Sequence, residues 1–92
     1  MVIRKNKSEV TFVFRPAQPV KNVRVVGTFN GWDEEEGRMQ KGKNNEWRKR
    51  VNLQPGRHEY KFIVDGEWQP DPDANESIQN RFGTENSVLQ LA

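Results

Sequence analysis

Hydrophobic and polar residues alternate along several short segments of this chain, and strict alternation is the pattern of a half-buried β-strand. The clearest case is residues 9–14, where Val10, Phe12 and Phe14 share one face and Glu9, Thr11 and Val13 share the other. The same pattern predicts four further strands, at residues 22–28, 46–53, 58–64 and 87–91, and a short strand at 67–69 is predicted to follow the Asp65-Gly66 turn.

Turn residues separate the predicted strands. Asp65-Gly66 joins strands 58–64 and 67–69 and suits a two-residue hairpin turn, which requires positive φ at both positions. Residues 29–45 are too irregular to predict an element, apart from a short helical turn within 33–38. Residues 70–84 are predicted to form one long loop, and a compact domain seldom carries such a loop unless it is functional.

Short strands at this spacing, with no convincing helix between them, predict an all-β fold: an antiparallel β-sandwich of the immunoglobulin-like class. Alternation places Trp47, Val51 and Leu53 in the core of this sandwich. The 92 residues are enough for one small domain. We expect the domain to span residues 8–92 and to follow a flexible lead-in at residues 1–7.

Composition narrows the partners that the chain is expected to have. No apolar run approaches the roughly 20 residues that span a bilayer, and neither a signal peptide nor a cysteine is present, which favours a cytoplasmic location. Fifteen basic residues are offset by 13 acidic ones, for a net charge of +2. Both signs are interspersed along the chain, so we expect a solvated surface that binds neither nucleic acid nor membrane.

Two tryptophans lie in or beside predicted turns. Trp32 follows Phe29-Asn30-Gly31, and Trp68 comes just past Asp65-Gly66. A large indole beside a turn is costly to leave in water unless it covers the core or contacts a ligand. Two interpretations are therefore open: the rings cap the ends of the core, or they form a surface that binds sugar rings.

Four segments carry a resemblance to a known family: VVGTFNGW at 25–32, LQPGRHEYKF at 53–62, VDGEW at 64–68 with Asp71-Pro72 after it, and GTENSV at 83–88. In this order and spacing they make the chain similar to the glycogen-binding module of the β subunit of AMP-activated protein kinase. It is also similar to the early-set domains that precede the catalytic barrels of isoamylases and branching enzymes (carbohydrate-binding module family 48). The resemblance covers roughly residues 8–91.

The resemblance implies a non-catalytic module that binds α-1,4-glucans such as glycogen, starch or maltodextrin and targets an attached or partner protein to them. The implied carbohydrate-binding residues are Trp32 and Trp68 as stacking platforms, Lys61 and Asn86 as contacts to hydroxyls, and Phe82 and Thr84 at the loop edge. Phe82 stands where the kinase module has a leucine that inserts into the curve of the glucan, and Ser87 stands where it has a second asparagine.

Residues suited to catalysis or metal binding are few. His58, the only histidine, is predicted to be structural, and Asp71 and Asp73 are more typical of a solvated loop, with at most a weak calcium preference, than of a glycosidase pair. We therefore predict no catalytic residue, no metal site and no cofactor. The alternative function is a protein-interaction module of the same fold that packs on a catalytic or kinase partner without sugar affinity; a nucleic-acid binder is disfavoured by the mixed charge.

Overall fold

A computed structural model describes residues 1–6 and 8–91 of the chain. They form nine strands, and two short 3₁₀ turns lie at Thr28–Asn30 and Lys43–Asn45. The strands are β1 Val2–Arg4, β2 Glu9–Phe14, β3 Val23–Gly27, β4 Gln40–Lys41, β5 Trp47–Asn52, β6 Gly56–Val64, β7 Glu67–Gln69, β8 Glu76–Gln79 and β9 Glu85–Leu91. No α-helix occurs in this part of the chain, and no helix within it is long and apolar enough to cross a membrane.

The strands form two antiparallel sheets that pack face to face. The first sheet has the order β1-β2-β5-β4, and the second has the order β3-β6-β9-β8 with β7 also paired to β6. The predicted all-β antiparallel sandwich is therefore confirmed.

Aromatic rings from both sheets meet in the core. The ring centroids of Phe12 and Tyr60 are 5.0 Å apart, and those of Phe14 and Phe62 are 5.1 Å apart. Trp47 belongs to the same cluster, as predicted. Each such side chain, once buried, stabilises the fold by about 1.5–3 kcal/mol before the entropy of ordering it is subtracted.

Residues 37–41 close one side of the sandwich by passing from one sheet to the other. The N–H of Val25 donates to the carbonyl of Gly37 (2.8 Å), and the N–H of Met39 donates to the carbonyl of Val23 (3.0 Å), so this stretch first covers the free edge of β3. It then continues as β4 against β5. Gly37 is required here because a Cβ would lie 2.1 Å from the carbonyl oxygen of Val25.

The short helical turn predicted within 33–38 is present as a single turn. The N–H of Gly37 donates to the carbonyl of Asp33 at 3.2 Å, and the Asp33 carboxylate accepts the N–H of Glu35 at 2.9 Å. The turn ends where Gly37 reaches the edge of β3.

The predicted lead-in contains a strand that the sequence did not indicate. Val2–Arg4 pairs with β2 in the register Val2↔Phe12, and Lys7 lies outside the described residues. Three residues are too few to show alternation, and the strand forms because β2 would otherwise leave one edge of its backbone unpaired. The division of the chain into residues 1–7 and 8–92 stays a prediction.

The predicted long loop at 70–84 also contains a strand. Glu76–Gln79 pairs with β9 in the register Glu76↔Val88 to Gln79↔Glu85. All four of its side chains are exposed, so this edge strand has no hydrophobic face that alternation could reveal. Backbone pairing with β9 holds this strand in place. Part of the predicted loop is therefore an edge strand of the second sheet.

Candidate functional site

A cavity of about 620 Å³ opens on the outer face of the second sheet. It is lined by Trp32, Lys61, Trp68, Asn80, Arg81, Phe82, Thr84 and Asn86. All six residues that the sequence singled out for carbohydrate binding line this one cavity. The structure adds Asn80 and Arg81 to them.

The cavity lies where β6 changes its partner on one side. β9 pairs with β6 up to Tyr60↔Ser87, and β7 pairs with it from Phe62↔Gln69 onward. Lys61 lies at the junction, and its side chain points away from the core because its neighbours Tyr60 and Phe62 point inward. The split between β7 and β9 thus opens directly above Lys61.

Lys61 is almost fully buried, with 6% of its surface exposed, so it is not an ordinary solvent-facing lysine. Its Nζ donates a hydrogen bond to Thr84 Oγ1 at 2.7 Å. Among the described residues, no carboxylate forms an ion pair with it. An ammonium group has three N–H donors, so the remaining donors are available to oxygen atoms that enter the cavity.

Trp68 stands on the β7 side of the split. It pairs with Ile63 across the β6–β7 ladder, and the two-residue turn before it has φ values of 48° at Asp65 and 87° at Gly66, as predicted. Trp68 is 49% exposed and does not belong to the core cluster. The interpretation that Trp68 caps the core is therefore wrong.

Trp32 is presented by a turn with an unusual backbone. Its φ is 61° and follows a φ of 64° at Gly31, although bulky residues rarely adopt the left-handed region. The N–H of Trp32 donates to the carbonyl of Gly27 at 2.9 Å, which fixes the turn on the end of β3. The indole is half-buried and lines the cavity.

Asn80 organises the loop that joins β8 to β9. Its Oδ1 accepts the backbone N–H groups of Phe82 (2.9 Å) and Thr84 (3.2 Å). Its Nδ2 donates to Thr84 Oγ1 at 2.8 Å and to Asn86 Oδ1 at 3.0 Å. A single amide therefore fixes the loop backbone and two of the predicted site residues.

The same loop exposes an aromatic ring at its tip. Phe82 is 77% exposed, and the guanidinium of Arg81 lies 5.1 Å from the centre of its ring. Gly83, with φ of 82°, allows the sharp return of the backbone into β9. The loop thus places an exposed ring and a cation on the side of the cavity opposite to Trp68.

Asn86 is buried at the floor of the cavity with its amide oriented by two neighbours. Its Nδ2 donates to Glu59 Oε1 at 3.1 Å, while its Oδ1 accepts from Asn80. Asn86 precedes Ser87, the partner of Tyr60, so it lies across from Lys61 on the outer face of the sheet.

The prediction that Asp71 and Asp73 are both solvated loop carboxylates is wrong for Asp71, while Asp73 is exposed as expected. Asp71 is buried and accepts a hydrogen bond from the Tyr60 hydroxyl at 2.7 Å, while the N–H of Asp71 donates to Ser87 Oγ at 2.8 Å. Burial, reinforced by this carboxylate, raises the pKa of the Tyr60 hydroxyl well above its ordinary range. Asp71 is therefore an anchor of the fold. Within residues 1–6 and 8–91 no group of three His, Cys, Asp or Glu side chains is placed to hold a metal ion.

Asn80 and Arg81 were not predicted as site residues, because both lie within residues 70–84, which the sequence predicts to be one long loop. A signal for Asn80 was available. An asparagine three residues before a glycine is typical of a turn in which the side chain accepts backbone N–H groups two or more residues ahead. Arg81 carries no comparable signal.

Most of the chain matches a known protein family and is similar in sequence to several of its members. Residues 10–92 match the model of a family described as the glycogen recognition site of AMP-activated protein kinase. The rice protein FLOURY ENDOSPERM 6, chloroplastic, is 37% identical over 75 residues, which cover 82% of this chain and 14% of that protein. The human 5'-AMP-activated protein kinase subunit beta-1 is 34% identical over 79 residues, covering 86% of this chain and 28% of the subunit.

A second plant protein and a solved structure are also similar to this chain. PTST homolog 2, chloroplastic, from Arabidopsis thaliana is 39% identical over 70 residues, which is 76% of this chain and 13% of that protein. The chain therefore spans only a small part of the plant relatives it matches. An enterochelin esterase from Shigella flexneri superposes with a TM-score of 0.74 over 99% of this chain and 32% of the esterase, at 20% identity, so it shows the fold alone.

Proposed function

Because this chain belongs to the family of the glycogen recognition site of AMP-activated protein kinase, we propose that its recognition site is the cavity above Lys61 and that Trp32, Lys61, Trp68, Phe82, Thr84 and Asn86 bind the glucan. The chain is a non-catalytic glycogen- and starch-recognition module. Its ligand is α-1,4-linked glucan, taken as an oligosaccharide or as a chain of glycogen or starch.

The observation that carries the proposal is the pairing of exposed aromatic rings with a polar floor. Trp68 and Phe82 stand on opposite sides of the split between β7 and β9, and Lys61 and Asn86 lie between them. A pyranose ring has an apolar C–H face and a rim of hydroxyls. The aromatic rings match the first by burial of apolar area, and the ammonium and amide groups match the second by hydrogen bonds.

The size of these contacts predicts weak binding of each site. A neutral hydrogen bond contributes about 0.5–1.5 kcal/mol net, and one to a charged group about 1.5–3 kcal/mol. After the cost of association, a single oligosaccharide is expected to bind with Kd on the order of micromolar to millimolar. Glycogen and starch present many chain ends, and avidity raises the retention of a larger protein that carries the module.

Trp68→Ala is the mutation that tests this assignment. We expect at least about a tenfold loss of affinity for glycogen, because the variant removes a half-exposed stacking surface worth about 1.5–3 kcal/mol. Affinity electrophoresis in gels containing glycogen measures the loss. Because Trp68 lies outside the core, the melting temperature is expected to stay close to that of the native chain.

Ile3→Ala is the matched control for Trp68→Ala. Ile3 is also an exposed hydrophobic residue, 41% exposed, but it lies on the first sheet. Retention of this variant is expected to equal that of the native chain. Unchanged retention of a folded Trp68→Ala variant would contradict the assignment of the site.

The role of the module in a longer protein and the location of that protein are two further parts of the proposal. A recognition module that spans 13–14% of its plant relatives is suited to targeting the remainder of a longer protein to glucan. The proposed location is the cytoplasm, although both plant relatives are named as chloroplastic. Microscopy of the fluorescently tagged native protein, compared with a marker of glycogen or starch granules, tests both statements.

Docking on a catalytic or kinase partner remains the second candidate function for a module of this kind. The relative that favours it is named as a kinase subunit, human 5'-AMP-activated protein kinase subunit beta-1. Under this alternative, Trp68→Ala would weaken a protein contact and leave no effect on sugar binding.

A further inference from the structure

Six basic residues from three separate segments of the sequence line an open groove of about 720 Å³ on the first sheet. The groove is lined by Ile3, Arg4, Lys5, Thr11, Arg38, Gln40, Arg48, Lys49 and Arg50. The sequence predicted that basic and acidic residues would be interspersed over the surface. Folding brings these basic residues to one groove with no acidic residue in its lining, although Arg4 and Lys49 pair with the buried Val10 and Phe12 and therefore project toward the opposite face of the sheet.

Antiparallel pairing is what brings the segments together. Arg50 lies beside Thr11, which in turn lies beside Ile3, and Arg48 lies beside Gln40. Arg48 and Arg50 are two residues apart on one strand, so both point away from the core at a spacing of about 7 Å. The same spacing separates alternate side chains of any extended peptide laid along the sheet.

Carboxylates at the margin neutralise only part of this charge. Glu35 lies 2.8 Å from Arg38, Glu46 contacts Arg48, and Glu9 lies 3.8 Å from Lys5 and 4.0 Å from Arg50. Three acidic groups are therefore shared among four basic ones, and each of these four cationic side chains is more than half exposed. The side chains of Arg48 and Arg50 remain 52% and 68% exposed, so their guanidinium groups are accessible to a partner.

We propose that this groove is a docking site for an acidic segment of a protein, a function beyond glucan recognition. Three of the four cations on the outer face, Arg38, Arg48 and Arg50, are arginines, whose planar fork binds carboxylates through two parallel hydrogen bonds. Exposed Ile3 and the uncharged Thr11 and Gln40 lie among them. This mixture of arginine, apolar and neutral polar groups is that of a protein interface.

Other polyanions fit the face less well. Proteins that bind single-stranded nucleic acid stack its bases on aromatic rings, and none of the residues that line this groove is aromatic. The net charge of the whole chain is only +2, which gives little of the long-range attraction that drives non-specific binding to DNA or to an anionic membrane.

The groove and the glucan cavity lie on different sheets, and no residue lines both. The module can therefore contact glucan through the second sheet while the first sheet holds an acidic segment. Binding at the two sites is expected to be independent. A failure to bind acidic peptide would therefore leave the assignment of the glucan site unaffected, and the reverse.

Fluorescence anisotropy with a labelled decaglutamate peptide tests the docking site on the full chain. At low salt, about 0.05 M, we expect saturable binding that Arg48→Gln/Arg50→Gln weakens by about fivefold or more. The control Lys21→Gln/Arg57→Gln removes the same charge from exposed positions outside the groove, and its affinity is expected to change by less than about twofold.

The single variant Arg50→Gln tests the site if the double variant fails to fold. The only ion pair of Arg50 among the described residues is the 4.0 Å contact with Glu9, so its loss is expected to leave the fold intact. The variant is expected to weaken decaglutamate binding while leaving the melting temperature unchanged. Equal losses in the groove and control variants would overturn the proposal. A decathymidylate probe that binds the native chain as tightly as decaglutamate would also overturn it and point to nucleic acid.

Discussion

At the scale of single residues, the glucan cavity depends on polar side chains that hold one another in place before any ligand arrives. Lys61, Thr84, Asn80, Asn86 and Glu59 form a continuous chain of hydrogen bonds along its floor. Such preorganisation lowers the entropy lost when sugar hydroxyls bind. It also means that a residue without direct ligand contact can control affinity.

Asn80→Ala tests this dependence. The variant removes four hydrogen bonds that hold the loop 80–84, so we expect maltoheptaose affinity to fall about tenfold through loss of loop order. Isothermal titration calorimetry measures the affinity, and amide hydrogen exchange at Phe82 and Thr84 measures the order of the loop.

Asn80→Asp is the informative companion to that variant. The aspartate keeps an oxygen that accepts the backbone N–H groups of Phe82 and Thr84 but loses the Nδ2 donor to Thr84 and Asn86. Exchange at Phe82 is expected to stay slow, and affinity is expected to lie between those of Asn80→Ala and the native chain. Native affinity in Asn80→Ala would show that the loop needs no such anchor.

The burial of Tyr60 and its hydrogen bond to Asp71 predict that the free energy of unfolding depends on pH. The raised pKa of Tyr60 means that the unfolded chain ionises its phenol near pH 10 while the folded chain resists ionisation. Stability from this group is therefore full below about pH 10 and is lost as pH rises above it. Urea unfolding of the native chain between pH 7 and 11 is expected to show this decline.

Tyr60→Phe isolates the effect, because Tyr60 is the only tyrosine in the chain. At pH 7 the variant is expected to be less stable by about 1–3 kcal/mol, since the buried Asp71 carboxylate loses a donor. Above pH 10 the difference between the two proteins is expected to shrink. A difference that stays constant to pH 11 would contradict this assignment of the pKa.

At the scale of elements, the site exists because β6 is shared between two partner strands. Its first half pairs with β9 and its second half with β7, and the polar floor lies at the change. The hairpin turn at Asp65-Gly66 sets the direction of β7, and the Asp65 carboxylate accepts the N–H groups of Lys21 (2.9 Å) and Asn22 (2.8 Å). The turn is thereby tied to the start of β3.

Gly66→Ala tests the role of this turn. The φ of 87° is costly for any residue with a Cβ, so we expect a loss of about 1–2 kcal/mol in unfolding free energy, measured with urea. Since the turn also places Trp68, glycogen affinity is expected to fall even in the fraction that is folded. Gly42→Ala is the control. Gly42 has a negative φ of −105° in another loop, so this substitution is expected to lower the unfolding free energy by less.

The sequence predicted the strands whose side chains alternate, and β7 from the Asp65-Gly66 turn that precedes it, but missed the other strands held by backbone pairing alone. Strands β2, β3, β5, β6 and β9 each bury one face in the core, and the periodicity of two made them visible. β1 is three residues long, β4 is two residues long and β8 has no buried side chain, so none of them carries the pattern.

At the scale of the whole molecule, the two outer faces of the sandwich differ in chemistry. One carries exposed aromatic rings around a polar floor, and the other carries a basic groove. The six glucan-binding candidates were accessible from the sequence because they lie in recognisable motifs. The basic groove was not, because it depends on the register that brings Ile3, Thr11 and Arg50 side by side.

The measurement that tests the central claim most directly is a titration of the ¹⁵N-labelled chain with maltoheptaose, followed through the three tryptophan indole N–H signals. The account predicts saturable shifts of the Trp32 and Trp68 indoles together with the Lys61 and Asn86 amides, while the indole of Trp47, buried in the core, stays in place. Absence of any shift at millimolar sugar, or equal shifts at Trp47, would contradict glucan binding at the split between β7 and β9.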